Sequence, residues 1–140
     1  MRALACWAAA ATFACVLVPL ALSGEPPAAA DKPVSFRNDI QPIFDHHCTV
    51  CHRLEDPVAG LILEPAVSYV SLVGVPSMEN AMARVSPKDP QGSYLLHKIE
   101  WTHLAVNGKG YGMPPVYFAF LSVEERVLVR TWIEQGAPNN

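Results

Sequence analysis

Past its first two dozen residues the chain has only two cysteines, no run of basic residues, no second long apolar stretch and few strand signals. Each absence removes a class. Cys6 and Cys15 lie in the leading apolar segment, which leaves Cys48 and Cys51. Those two are too close together to staple a fold, so no disulfide framework exists. Without Arg2 the balance is 9 basic against 13 acidic residues, a net charge of −4. Nucleic acid is thereby disfavoured, because its phosphates would meet a repelling surface. Hydrophobic residues make up 51% of the chain, but the first two dozen positions inflate that figure and the remainder reads as an ordinary soluble protein, not a membrane bundle. No internal repeat is visible, and 13 prolines with little strand pattern point to helices joined by long connections wrapped around something other than a sheet. At 140 residues there is material for one small domain and no second one.

The N-terminus carries a single positive charge at Arg2, runs apolar from Ala3 to Leu22, and then turns small and polar. This is the pattern of an export signal over residues 1–23, with small residues Ala21 and Ser23 placed for cleavage before Gly24 and a second option at Ala28 to Ala30. The alternative is an uncleaved membrane anchor, since the run is long enough to span a bilayer. An alanine-rich run interrupted by Pro19 is a weak membrane helix, which favours cleavage and export to the periplasm or an equivalent space. Residues 24–33 form a Pro/Ala-rich tether with little to pack, and the fold is expected over 34–138.

Within that span Phe36, Ile40, Ile43 and Phe44 recur at helical spacing and form one apolar stripe that ends at His47 or Cys48. Pro42 interrupts it. Either Asn38 caps the helix with Gln41 as its partner, which places the proline in the first turn, or the helix kinks. The far end is a stronger helix: Ser122 and Glu125 have capping-box spacing, Val127, Leu128, Thr131 and Trp132 are expected on one side, and Gly136 and Pro138 stop it. Two short helices are expected between them, from Pro65 to about Leu72 and around Tyr94, Leu95 and Ile99. The fold class is therefore all-α.

The chemistry concentrates in residues 46–55, HHCTVCHRLE. Cys48 and Cys51 at i and i+3 lie on one face of a helical turn, where each thiol can add across a vinyl group of a haem, while His52 projects from the same face toward the iron. A domain this small buries only about two thirds of its unfolded surface, so a large apolar group would be a useful part of its core. Two rival readings exist. A redox-active dithiol needs a strand before Cys48, and a structural zinc site needs four ligands where only the two cysteines and scattered histidines are on offer.

A second iron ligand has candidates in Met78, Met82, Met113, His46, His47, His97 and His103. The stretch NGKGYGMPPVY favours Met113: Gly108, Gly110 and Gly112 let backbone lie close to a flat ring, and Pro114 keeps Met113 out of the α region. His103 is the main rival. His97 suits a helix surface or a local hydrogen bond, His46 and His47 can at most edge the pocket, and Met78 and Met82, one helical turn apart, suit packing. Trp101, Tyr111, Tyr117 and Phe118 are candidate pocket walls.

Taken together, FRNDIQPIFDHHCTVCH, GLILEPAVSYVSLVG, RVSPKDPQGSYLLHKI, GMPP and LSVEERVLVRTWIEQGAP resemble the class I type of small c-type cytochromes, most nearly the planctomycete-type cytochrome c domains. The resemblance covers most of residues 34–138, with departures at Arg53, where glycine is frequent, and from Val75 to Ala83. It implies a single-domain cytochrome c fold in which the first and last helices cross near one edge of one covalently bound haem c. Cys48, Cys51 and His52 would lie below the ring and Met113 above it. The expected function is electron transfer between transient redox protein partners, without enzymatic activity, by a monomer or a subunit of a larger complex. A haem-binding sensor or peroxidase-like module with an open distal site, and a fixed electron-entry subunit of a larger oxidoreductase, are the alternatives.

Overall fold

A computed structural model of the chain describes residues 32–140. The expected leader 1–23 and all but the last two positions of the tether lie outside the described residues. Among the described residues the chain is helical with no β-strands, only isolated bridges such as Val73 with Val85 and Ala83 with Ser93. No helix among them is long and apolar enough to cross a membrane. The helices are α1 (Gln41–His47), entered through a π turn (Phe36–Ile40), then α2 (Ser68–Leu72), α3 (Tyr94–Ile99) and α4 (Val123–Glu134). Short 3-10 turns occupy Val58–Gly60 and His103–Val106.

Neither expected start of the first helix is realised, because the chain takes a wider turn instead. The cap is Ser35, whose Oγ accepts from Asn38 N–H at 3.2 Å, while Asp39 Oδ2 accepts from Ser35 N–H at 2.8 Å. The Ile40 N–H reaches Ser35 O at 3.3 Å and the Gln41 N–H reaches Phe36 O, so the ladder runs one residue longer than in an α-helix. Pro42 then falls in the first turn of α1, where a missing N–H costs least. The opened first turn also leaves donors over. Arg37 N–H bonds Asn140 O at 3.0 Å, Phe36 N–H bonds Asn140 Oδ1 at 2.9 Å, and Val34 N–H bonds Gln135 Oε1 at 2.7 Å. Phe36, Ile40, Ile43 and Phe44 are all buried, as their spacing predicts.

Helix α4 begins with the expected capping box: Ser122 Oγ accepts from Glu125 N–H at 3.1 Å and Glu125 Oε2 accepts from Ser122 N–H at 2.7 Å. It ends in a Schellman pair, Ala137 N–H to Trp132 O and Gly136 N–H to Ile133 O, both at 2.9 Å, with Gly136 at φ +99°. The buried face differs from the expected one. Val129, Trp132 and Ile133 are fully buried, whereas Val127 is 52% exposed. Val127 lies five residues before Trp132, about 140° round the helix, so the two cannot share a face. The Trp132 ring sits 5.3 Å from Phe36, whose ring also meets Tyr69 at 5.2 Å and Phe44 at 6.2 Å. At the other end of the pair, His47 Nε2 is 3.1 Å from Glu125 Oε1. The first and last helices therefore run past one another in opposite directions. Leu72 of α2 and Leu95, Leu96 and Ile99 of α3 complete the core, and Arg130 pairs with Glu100 at 2.6 Å to hold α4 to the end of α3.

Two outcomes follow for stability. Ser122→Ala removes the side chain that caps α4 and is expected to cost about 1 kcal/mol in urea unfolding. Burial would raise the Glu125 carboxyl, but the Ser122 N–H and the His47 ring outweigh it and hold the group below its ordinary 4.5. Its contribution is therefore complete above 4.5 and lost as pH falls through the lowered folded value. The fall of the urea midpoint with acid should be shallower in Glu125→Gln than in the parent protein.

Candidate functional site

Helix α1 releases its chain at Cys48, and a tight turn follows. Cys51 N–H and His52 N–H both bond Cys48 O, at 3.1 and 3.0 Å. That turn gathers the three side chains on one side, and Leu63 N–H to His52 O at 2.9 Å locks the returning strand of loop to it. Cys48 is partly buried, Cys51 is exposed, and both are free thiols. All three line a cavity of about 320 Å³, which Met113 and Pro114 also line, sixty residues further along the chain. The volume is within the ordinary range for a small-molecule or cofactor site. Apolar walls come from Leu61, Leu63, Leu72, Leu95 and Ile99.

The His52 ring is buried, and its Nδ1 lies 3.3 Å from the Leu61 carbonyl. A carbonyl only accepts, so Nδ1 carries the proton and Nε2 keeps a lone pair free for a metal. Burial lowers the His52 pKa against the opposing pull of the Leu61 and Val58 carbonyls, which favours the neutral imidazole that ligation requires. Burial also pushes the Cys48 thiol up to about 12, helped by the neighbouring Cys51 and Glu125. A nucleophilic dithiol needs the opposite shift, and among the described residues no strand precedes Cys48, so the dithiol reading finds no support. Among the described residues no group of three or more His, Cys, Asp or Glu side chains is placed to hold a metal ion by itself, so the zinc reading finds no support. Two thiols, one imidazole and one thioether, those of Cys48, Cys51, His52 and Met113, line this one cavity with apolar walls.

The other candidates separate cleanly. His103 is buried but does not line the cavity; its Nε2 lies 3.1 Å from Gly110 O and its Nδ1 has no partner. It stands behind the Met113 loop. His97 is occupied locally by Thr102 Oγ1 at 2.9 Å and Gln91 O at 3.0 Å. His46 is exposed, and His47 edges the cavity while paired to Glu125. Tyr111, Tyr117 and Phe118 line the cavity as expected, whereas Trp101 does not: it packs edge-on to Phe120 at 5.5 Å.

Two expectations need correction. Met78 and Met82 are not one helical turn apart, because residues 78–82 form bends without a helix, and Met78 is 72% exposed on the cavity rim against Gly60. The glycines before Met113 serve the chain's own side chains: a Cβ at Gly112 would enter the Trp101 ring, one at Gly108 would meet the Tyr94 hydroxyl, and Gly110 adopts φ +69°. Lys98, Glu79 and Arg84 line the cavity and were not singled out from the sequence. A signal for Lys98 existed, since it lies one turn after Tyr94 and beside Leu95 on the face that α3 buries.

Gly112→Ala is expected to destabilise the protein by about 1–3 kcal/mol in denaturant unfolding, because the added Cβ would overlap the Trp101 ring and force ring or loop backbone to shift. Comparison with protein-family models, with curated proteins and with solved structures found no match to this chain.

Proposed function

We propose that this chain is an exported monohaem c-type cytochrome that transfers electrons, with the group bonded through Cys48 and Cys51 and its iron held between His52 and Met113. The observation that carries the reading is the meeting of these four side chains, from two segments sixty residues apart, on one apolar cavity. The antiparallel pairing of α1 with α4 supports the finer reading of a cytochrome c fold. When bound, the haem supplies the one-electron ferric/ferrous couple. The rest is done by the chain. Cys48 and Cys51 retain the group, and the Leu61 carbonyl orients the His52 ring and raises its basicity. With His52 and Met113 as its ligands the iron would favour the ferrous state and a higher potential, and the apolar walls would keep water from it. No general base is needed.

Cys51 and its neighbour Val50 are exposed, so a partner can reach that edge of the site. A small, transient interface suffices for electron exchange. We assign export to the periplasm or an equivalent compartment, redox proteins as partners, and no nucleic-acid role.

The decisive material is the full chain expressed in a host that attaches haem to exported proteins. The purified protein should be red and low-spin, with a pyridine haemochrome of the two-thioether type; a colourless or zinc-bound product would exclude the proposal. Met113→Ala should abolish the long-wavelength iron–thioether absorption and lower the potential. Cys48→Ser with Cys51→Ser should leave nothing haem-stained on a denaturing gel.

A further inference from the structure

Lys98 is the one lysine that the described structure buries, at 7% exposure, and all three of its ammonium protons are spoken for. Nζ donates to Lys109 O at 2.8 Å and to Tyr111 O at 2.9 Å, and it pairs with Glu79 Oε2 at 2.6 Å. The same residue grips the loop a third time through its backbone, since Lys98 O accepts the Met113 N–H at 2.8 Å. The carbonyl left between those two, Gly110 O, lies 3.1 Å from His103 Nε2. Every second residue of 109–113 is thus tied to one residue of α3.

A loop with glycines at 108, 110 and 112 has more backbone freedom to lose than any other stretch of this fold. A helix that only needed to pack would place a methionine or leucine at position 98, because a buried ammonium carries a desolvation cost. Here the charge is spent on two carbonyls of a single loop and on Glu79, which itself lies against Gly110. Resting on the assignment of Met113 as axial ligand, we infer that Lys98, backed by Glu79, is the positioning residue that holds the Met113 thioether at the iron. A thioether is a weak, neutral ligand, so its residence on the metal depends on how firmly the loop is closed. Lys98 thereby sets how well water and small exogenous ligands are kept away.

The test uses the haem-loaded full chain and imidazole as the probe that displaces the thioether from ferric iron. Opening of the loop limits that displacement, so apparent imidazole affinity reports the strength of the clamp. With charged hydrogen bonds removed, Lys98→Met should bind imidazole at least about tenfold more tightly, with a weakened iron–thioether band and a lower potential. Glu79→Gln keeps both carbonyl bonds and should move all three readouts less, in the same direction; it carries the test should Lys98→Met fail to accumulate. In a Met113→Ala background, Lys98→Met should add nothing to imidazole affinity, because the clamp acts through that sulfur. Wild-type behaviour of Lys98→Met, or an additive effect in the double variant, overturns the clamp while leaving Met113 as ligand. A parent protein without the iron–thioether band, unchanged by Met113→Ala, overturns the ligand assignment and the clamp with it.

Discussion

The Trp132 ring, fully buried against Phe36, is the contact on which the rest of the site depends. It locks the entry of α1 to the C-terminal half of α4, and α1 is short enough that fixing its start also fixes its end. Cys48, Cys51 and His52 follow immediately. Their turn is therefore as well placed as the aromatic cluster of Phe36, Phe44, Tyr69 and Trp132 from which it projects. The His47–Glu125 pair repeats the constraint at the cysteine end.

The segment that brings Met113 to that turn, residues 107–122, forms neither helix nor strand. Buried backbone carbonyls and amides that lack a ladder must find partners elsewhere, and this chain meets the demand with side chains from distant segments. Arg84 donates to Ser71 O at 2.7 Å and Ala59 O at 3.2 Å, Tyr69 donates to Ala137 O at 2.9 Å, and Lys98 donates to Lys109 O and Tyr111 O. Polar side chains thus do here what strand pairing does in a sheet protein. The cavity wall that carries Met113 is held by the Lys98 ammonium, and the wall that carries His52 by the Cys48 turn, the Leu63 N–H to His52 O bond and the imidazole–carbonyl bond to Leu61.

What could be read from the residues alone was whatever depends on near neighbours in the chain. The cysteine and histidine spacing, the Ser122–Glu125 box, the Gly136 stop and the stripe from Phe36 to Phe44 are all set within one or two helical turns, where geometry follows from order. The same locality explains the misreadings. Cap position at Ser35, rather than Asn38, and the π turn that accommodates Pro42 depend on Asn140 and Gln135, a hundred residues away. Val127 faces outward because α4 turns Trp132, and not Val127, toward Phe36. The glycines before Met113 answer to Trp101 and Tyr94, which no spacing rule relates to them. By itself the sequence determined the chemistry on offer and the all-α class, since both are matters of residue type and local period. Tertiary structure decided that Met113 shares a cavity with Cys48, Cys51 and His52 and that His97 and His103 do not, because only packing can bring position 113 to position 52.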